Sequence, residues 1–265
     1  MKILYAAAEI APFARMTYTA DLLRFLPASL QDKGFEIRIL LPKYGSINDR
    51  RNRLHEVIRL SGIEVEVGEK VESMRIKVAS IPNAKLQVYF LDNDTYFKRK
   101  GIFEDAKTNE PFEDNDERLA FYNKGVLETV MKLGWQPDII HCHDWPAGLI
   151  PLLARTLYKE EEIFSKTKIV YNLHHPENRG HFDSSRILDL LGLPEDVKNE
   201  SLMEDGKVDL LKIGLRYSDH IVTGNHLGGE FDDLFKELNL KPTKIQGSPE
   251  DVSNKFAEYY QEIAK

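Results

Sequence analysis

The segment from Asp138 to Leu149 constrains the fold of this chain more than any other part of the sequence. An apolar strand pattern ends there in polar side chains and passes directly into a helical pattern. Helical patterns also flank the segment, which predicts a central parallel strand, because parallel sheets are covered by helices on both faces. Ligands of open α/β sheets bind outside the carboxyl ends of such strands. We therefore expect the functional site in this segment.

Strand and helix patterns alternate along the rest of the chain. Residues 2–8 predict a buried strand, residues 20–33 an amphipathic helix and residues 35–41 a second strand. A strand, a helix and a strand in this order nearly always pair in parallel with a right-handed connection. Pro27 lies within the helical segment and is expected to kink or split it, because proline cannot donate the helical hydrogen bond.

The remaining patterns complete an α/β fold. β-branched residues alternate in residues 53–67, 73–81 and 86–91, and two of these segments are expected to pair as an antiparallel extension of the sheet. Further helices are predicted at 114–133, 145–158, 184–191 and 208–217, a further strand at 168–174 and a last strand at 220–223. The predicted fold is a doubly wound, Rossmann-like parallel sheet with a β-hairpin extension and a helical C-terminal tail from about residue 227.

The composition excludes some classes of function. The 36 basic and 43 acidic residues give a formal net charge of −7, which argues against nucleic acid or an anionic membrane as the main partner. Cys142 is the only cysteine, so no disulfide can form within the chain and a reducing compartment is expected. The sequence lacks a signal-peptide pattern, and no apolar run approaches the ~20 residues of a membrane span. We therefore expect a cytoplasmic protein, and no motif calls for a cofactor.

Several segments carry a resemblance to a known family. They occur in the family's order and cover roughly residues 1–224. The segments are 1–12, 34–45 with its Leu-Pro-Lys-Tyr-Gly ending, 114–121, 141–149 and 206–223. Together they resemble the amino-terminal half of bacterial glycogen and starch synthases.

The resemblance implies a GT-B glycosyltransferase that extends an α-1,4-glucan from ADP-glucose. In that family the acceptor and part of the site lie on the first domain, whereas the nucleotide sugar lies mostly on a second Rossmann domain. Residues 1–224 are therefore expected to form a GT-B N-terminal-type domain, with residues 225–265 as a helical tail that packs on it. Nothing after Thr223 resembles a second set of strands and helices, so the donor half is expected to be absent. The candidate ligands are an α-glucan and ADP-glucose, and a protein is a further candidate partner.

The loop after the first strand departs from the family pattern of lysine, a variable residue, two glycines, leucine, alanine and aspartate. Residues 15–21 are instead Arg-Met-Thr-Tyr-Thr-Ala-Asp. The resemblance makes Arg15 and Asp21 candidate substrate-binding residues, since they keep the charges. Tyr18 places a ring where the second glycine would admit a ligand. The alternative is that Thr17 or Thr19 caps the helix and Asp21 complements its dipole.

The pentapeptide from His141 to Trp145 matches the family pattern, in which the aspartate and its neighbours line the cleft near the acceptor. The resemblance makes Asp144 a candidate catalytic residue and His141, His143 and Trp145 candidate substrate-binding residues. On a strand, His141 and His143 share one face and Cys142 takes the other. Two imidazoles at this spacing could instead hold a metal ion, although no second ligand set accompanies them. His141 and Trp145 could also satisfy buried backbone groups and pack the end of the sheet.

Residues 172–180 follow the next predicted strand. His174 matches the family's histidine, which is thought to contact the transferred glucose through a ring nitrogen, and it is the second candidate catalytic residue. His175 replaces the family's asparagine, and Gly180 closes the turn, so the resemblance makes both candidate substrate-binding residues. Alternatively, adjacent histidines before Pro176 form an ordinary exposed loop.

Asp209 stands where the family has an asparagine. A carboxylate accepts hydrogen bonds but does not donate them, so a sugar contact could survive there in altered form. The alternative is that Asp209 is a solvated first-turn acid and Lys212 a base on the helix face.

Two functions fit these residues. In the first, the chain is a glycogen/starch synthase-like glycosyltransferase domain that is inactive alone and binds a glucan, a nucleotide or a protein. In the second, it is one half of a split glycosyltransferase completed in trans by a donor-binding chain. The changed loop favours the first, because a partner would restore a missing domain but not the loop.

The tail carries a strong helix start at Ser248-Pro249, with acids in the following turn. An apolar stripe follows at helical spacing, formed by Val252, Phe256, Tyr259, Tyr260 and Ile263. In intact GT-B enzymes a carboxyl-terminal helix crosses back onto the first domain, so the resemblance implies that this helix docks there. The alternative is that the stripe is a face for a partner.

Overall fold

A computed structural model describes residues 1–82, 84–174, 179–195, 197–198, 205–225, 227 and 229–264. In these residues the strands are β1 (Lys2–Ala6), β2 (Glu36–Pro42), β3 (His55–Glu56), β4 (Ile63–Val67), β5 (Lys70–Ser80), β6 (Gln87–Asp92), β7 (Ile139–His143), β8 (Lys168–Leu173), β9 (His181–Asp183), β10 (Lys207–Asp209), β11 (His220–Thr223) and β12 (Thr243–Lys244). The α-helices are α1 (Tyr18–Asp32), α2 (Asp49–Asn52), α3 (Asp94–Phe97), α4 (Asn115–Leu133), α5 (Leu149–Arg155), α6 (Ser184–Leu191), α7 (Leu210–Tyr217), α8 (Asp232–Glu237) and α9 (Pro249–Ile263).

The main sheet has the strand order β12-β11-β8-β7-β1-β2-β6-β5-β3. The pairs from β12 to β6 are all parallel. Strand β5 pairs antiparallel with β6, β4 and β3, which confirms the antiparallel extension. Strand β7 lies inside the sheet between β1 and β8, and all five of its residues are buried. The α/β fold with a mostly parallel central sheet is thus confirmed.

The local sequence determines where helix α1 begins and ends. The Thr17 side chain caps the helix by accepting from Thr19 N, and Gly34 follows its end at a φ of 90°, a conformation that suits glycine. The helix is continuous through Pro27, so the predicted split is wrong. Pro27 is itself buried on the apolar face, and burial of this face outweighs the one hydrogen bond that proline cannot donate.

Three boundaries differ from the predictions. A 3₁₀ turn at Trp145–Ala147 precedes α5, which ends at Arg155 rather than at residue 158. Helix α7 begins at Leu210, because residues 207–209 pair with β9 and Asp209 caps the helix. The strand at 220–223 is not the last one, since β12 in the tail pairs parallel with it. A two-residue strand carries no readable alternation, and this is why the sequence did not reveal β12.

The tail helix α9 packs against α1. Ser248 and Asp251 form a complete capping box, and Pro249 is the first helical residue. At this contact the hydroxyl groups of Ser29 and Ser253 lie 2.7 Å apart. Its apolar residues join the same hydrophobic core as the sheet. The boundary at residue 224 between domain and tail stays a prediction. In the described part of the chain, no helix is long and apolar enough to cross a membrane.

Candidate functional site

Asp144, the residue after β7, has an unusual backbone. Its φ and ψ are 54° and −177°, close to a region that glycine populates and other residues hardly enter, at a cost of about 1–3 kcal/mol. Its N–H donates to the carbonyl of Asn172 over 3.1 Å, and its carbonyl accepts from the Tyr171 hydroxyl over 2.8 Å. Hydrogen bonds from β8 therefore hold the strained peptide in place.

The carboxylate of Asp144 joins three elements. Its Oδ1 accepts from the backbone N–H of His174 over 3.1 Å, at the end of β8. Its Oδ2 accepts from the hydroxyl of Thr19 over 2.8 Å, in the first turn of α1. The structure thus brings together the two candidate catalytic residues, Asp144 and His174, at the carboxyl edge of the sheet. The sequence indicates Thr19 only as a possible helix cap and carries no signal for its contact with Asp144.

A buried glutamate shapes the loop that precedes α1. Glu9 accepts from the backbone N–H groups of Met16 and Thr17 over 2.5 and 2.8 Å and from the Thr17 hydroxyl over 2.5 Å. Burial raises the pKa of Glu9, the bonds from Thr17 and Met16 oppose this rise, and the charge of Asp144 adds to it. The sequence argument missed Glu9, although its position just beyond β1 follows the strand-end rule that identified Asp144.

Three histidines form a buried column beside Asp144. Ring centroids lie 4.2 Å apart for His141 and His143, and 5.4 Å apart, with parallel rings, for His143 and His174. Nδ1 of His143 lies 3.2 Å from Nε2 of His174, to which the Asn172 amide also comes within 3.0 Å. Burial lowers the pKa of His141 and His143 well below the ordinary value, and the neighbouring imidazoles lower it further. Both rings are therefore neutral at pH 7.

The lower end of this column contacts the tail helix. The Tyr260 hydroxyl lies 2.5 Å from Nδ1 of His141 and 3.0 Å from the hydroxyl of Tyr5. Among the described residues, His141 Nε2, His143 Nε2 and Asn172 Oδ1 are buried without a hydrogen-bond partner. The same residues contain no group of three or more His, Cys, Asp or Glu placed to hold a metal ion.

Trp145 forms the aromatic side of the site. Its ring centroid lies 4.7 Å from that of Phe103 and 6.3 Å from that of Phe182. Gly180 has a φ of 67°, and a Cβ there would lie only 2.5 Å from the indole. Glycine is thus required at this position, because any side chain would displace the ring. The indole is partly buried.

The loop that departs from the family pattern leads into α1, and a role of Arg15 and Asp21 in substrate binding stays a prediction. Arg15 and Asp21 pair with each other over 2.5 Å, and their side chains are 67% and 40% exposed. They lie on the surface at the start of α1, where Thr17 provides the predicted cap. The Tyr18 ring lines a crevice that reaches His174 and Asn172 between α1 and α9. This crevice has a volume of about 10 Å³, enough for one water molecule.

Asp209 lies in the protein interior. Its side chain accepts from Lys212 N over 3.0 Å and pairs with Arg179, while Lys212 Nζ pairs with Glu237 over 2.7 Å. The alternative of a solvated acid beside Lys212 is therefore wrong, because the helix start needs a buried acceptor there. His175 lies outside the described residues.

Comparison with known proteins identifies relatives of the whole domain. Residues 2–226 match the family described as the starch synthase catalytic domain. The glycogen synthase of Chlorobaculum tepidum is 45% identical over 222 residues, which are 84% of this chain and 45% of that protein. The glycogen synthase of Pelodictyon phaeoclathratiforme is 42% identical over 229 residues, 86% of this chain and 46% of that protein.

A solved structure shows the same fold. The catalytic domain of starch synthase IV from Arabidopsis thaliana, bound to ADP and acarbose, superposes with a TM-score of 0.75 at 23% identity, over 92% of this chain and 51% of that one. The chain spans about half the length of the glycogen synthases that it matches. From the match over residues 2–226 and the identity to these synthases, the chain belongs to the starch synthase catalytic domain family.

Proposed function

We propose that this chain binds an α-1,4-glucan at the carboxyl edge of its sheet, as the acceptor side of a glycosyltransferase of the glycogen synthase type. The observation that carries the proposal is the strained Asp144, whose carboxylate is fixed by Thr19 and His174. Backbone strain persists where the surroundings over-determine it, which occurs mostly at functional sites. A carboxylate accepts hydrogen bonds, and sugar hydroxyl groups can donate them.

The shape of the site favours a glucan over a nucleotide sugar. The partly buried Trp145 indole lies next to Asp144, and an aromatic face with an adjacent carboxylate suits a sugar ring, which has an apolar face and polar edges. At His174 the crevice is only about 10 Å³, too small for a glucosyl group. Tyr18 and α9 both line that crevice. We therefore assign the acceptor, and not the donor sugar, to this surface, with Asp144 and Trp145 as its contacts.

Titration calorimetry with maltoheptaose tests this function. Wild type is expected to bind, and Asp144→Asn is expected to bind about tenfold or more weakly, because hydrogen bonds to charged groups contribute about 1.5–3 kcal/mol. Asp189→Asn is the matched control, since this exposed carboxylate lies on α6 and pairs with Lys198, and its affinity should equal that of wild type. Equal binding by all three proteins would place the glucan elsewhere, and no binding by wild type would refute the proposal.

A further inference from the structure

A second small cavity lies at the carboxyl edge of the sheet, next to the aromatic side of the site. Its volume is about 10 Å³, close to that of one water molecule. Most of its lining is apolar. Three side chains with polar groups line it, namely Tyr44, Arg118 and Tyr122. Phe103 and Pro146 also line it, so it adjoins the Trp145 ring, which packs on Phe103.

Arg118 is almost fully enclosed, with 2% of its surface exposed. Its Nε donates to the carbonyl of Tyr96 over 2.8 Å, and Nη1 donates to Oδ1 of Asn115 over 2.6 Å. Its Nη2 is buried and has no hydrogen-bond partner among the described residues. Arginine can only donate, so this nitrogen needs an acceptor from outside the set of described side chains.

Tyr44 is the second side chain on this cavity that has a polar atom without a partner among the described residues. Its hydroxyl is buried without a partner among the described residues. The ring is held edge-on by Phe97 and Phe103, with interplanar angles of 82° and 75°. These contacts fix the position of the hydroxyl oxygen, although its hydrogen can still rotate. Two unsatisfied polar atoms thus belong to two side chains that line one cavity, which is unusual in native interiors.

We propose that this cavity is a hydroxyl-binding subsite, in which one hydroxyl group of a bound α-glucan accepts from Arg118 Nη2 and pairs with the Tyr44 hydroxyl. A sugar hydroxyl both donates and accepts, so a single group can satisfy both residues. The volume admits one oxygen but not a carboxylate or a phosphate. The inference rests on the proposed glucan function and adds a contact beside Phe103, on which Trp145 packs.

Tyr44→Phe is the test variant, because it removes only the unpartnered hydroxyl. Its affinity for maltoheptaose is expected to fall about fivefold, the typical effect of one neutral hydrogen bond. Its thermal midpoint should equal or exceed that of wild type, because an unsatisfied buried hydroxyl is lost. Tyr158→Phe is the control. Its hydroxyl donates to Glu128 over 2.7 Å and lines no part of the cavity, so the affinity should not change.

Monodeoxy maltooligosaccharides identify the hydroxyl itself. Removal of the hydroxyl that enters the cavity should weaken binding to wild type and leave binding to Tyr44→Phe unaffected, as a coupled pair requires. Arg118→Lys keeps a positive charge but removes the Nη2 donor, and it should show the same loss of coupling if Tyr44→Phe does not fold.

The outcomes separate this inference from the proposed function. If Tyr44→Phe binds maltoheptaose as wild type does and melts at a lower temperature, the cavity holds a structural water and the subsite is refuted. Equal affinity with an unchanged midpoint refutes it as well. If wild type itself binds no glucan, the proposed function fails and the subsite fails with it. Weakened binding by Tyr44→Phe and a single sensitive deoxy position support both.

Discussion

Asp144 combines a strained backbone with hydrogen bonds on both its main chain and its side chain. Its N–H, its carbonyl and both carboxylate oxygens are each hydrogen-bonded, to Asn172, Tyr171, His174 and Thr19. Each bond to a neutral group contributes about 0.5–1.5 kcal/mol, so together they exceed a backbone strain of about 1–3 kcal/mol. The carboxylate therefore has a fixed direction, which a ligand site needs.

Replacement of Asp144 by glycine and by alanine separates the free-energy cost of the backbone strain from the contribution of the carboxylate. Both variants lose the side-chain bonds, but only glycine adopts a φ of 54° without strain. Asp144→Gly should be more stable than Asp144→Ala by about 1–2 kcal/mol, after subtraction of the greater freedom of glycine in the unfolded chain. Urea unfolding monitored by circular dichroism gives the difference.

Asp189 provides the control for this comparison. It is an exposed residue inside α6, where glycine should be less stable than alanine by about 1 kcal/mol. The order of the two variants should therefore reverse between residues 144 and 189. The same order at both residues would mean that Asp144 is not strained.

Among the elements, helix α9 connects the tail to the candidate site. Its residues Val252, Phe256 and Tyr260 are buried, and the Tyr260 hydroxyl is bonded to His141 at the base of the histidine column. Phe256 lies beside the same imidazole, with ring centroids 5.4 Å apart. The tail therefore helps to fix the histidines that lie behind Asp144 and His174.

Truncation after Gly247 should lower the stability of the protein. Three buried side chains at about 1.5–3 kcal/mol each give a gross loss of roughly 5–9 kcal/mol, which the entropy of the freed tail partly offsets. A net loss of 2–4 kcal/mol would lower the thermal midpoint by about 5–15 °C. Differential scanning calorimetry measures the shift.

Two point variants show whether the loss comes from the docked face. Tyr260→Phe leaves Nδ1 of His141 without its bond and should cost about 1–3 kcal/mol. The neighbouring Tyr259→Phe, on a partly exposed side chain, should cost less than about 1 kcal/mol. An unchanged midpoint in the truncated chain would instead favour the stripe as a face for a partner.

For the whole molecule, the site depends on parts of the chain that are distant in sequence. Strands β1, β7 and β8 supply the carboxyl edge, α1 supplies Thr19, and α9 supplies Tyr260. The resulting interior encloses the imidazoles of His141 and His143, and burial lowers the pKa of both. The global stability should therefore respond to pH.

The sign of this pH dependence follows from linkage. The unfolded histidines titrate near pH 6.5, whereas the folded ones remain neutral to much lower pH. Below about pH 6.5 the unfolded state binds more protons, so the free energy of unfolding falls as the pH falls. Above about pH 6.5 these two histidines should not change the free energy of unfolding with pH.

Urea unfolding between pH 7.5 and 5.5 measures the effect. Each buried histidine should contribute a slope of up to about 1.4 kcal/mol per pH unit below pH 6.5. His143→Asn should reduce the slope, whereas the change of an exposed histidine, His55→Gln, should leave it as in wild type. A slope that His143→Asn does not alter would assign the acid sensitivity to other groups.

The sequence by itself determined the features that short segments encode. The apolar run of β7, the caps at Thr17 and Ser248 and the stripe on α9 each depend on neighbours within a few residues, so burial and helix starts could be predicted. The resemblance added the family and the candidate residues Asp144 and His174. Both residues follow parallel strands, which end at the same edge of the sheet.

Only the tertiary structure decided which side chains meet across the chain. Thr19 and Asp144 are 125 residues apart, and His141 and Tyr260 are 119 apart. No local sequence pattern indicates such a pair. Thr19 alone fits a helix cap, and Tyr260 alone fits the apolar stripe of α9. The burial of Asp209 was hidden for the same reason. Hydrogen-bond partners depend on the packing of distant elements, whereas periodicity and capping depend on the segment itself.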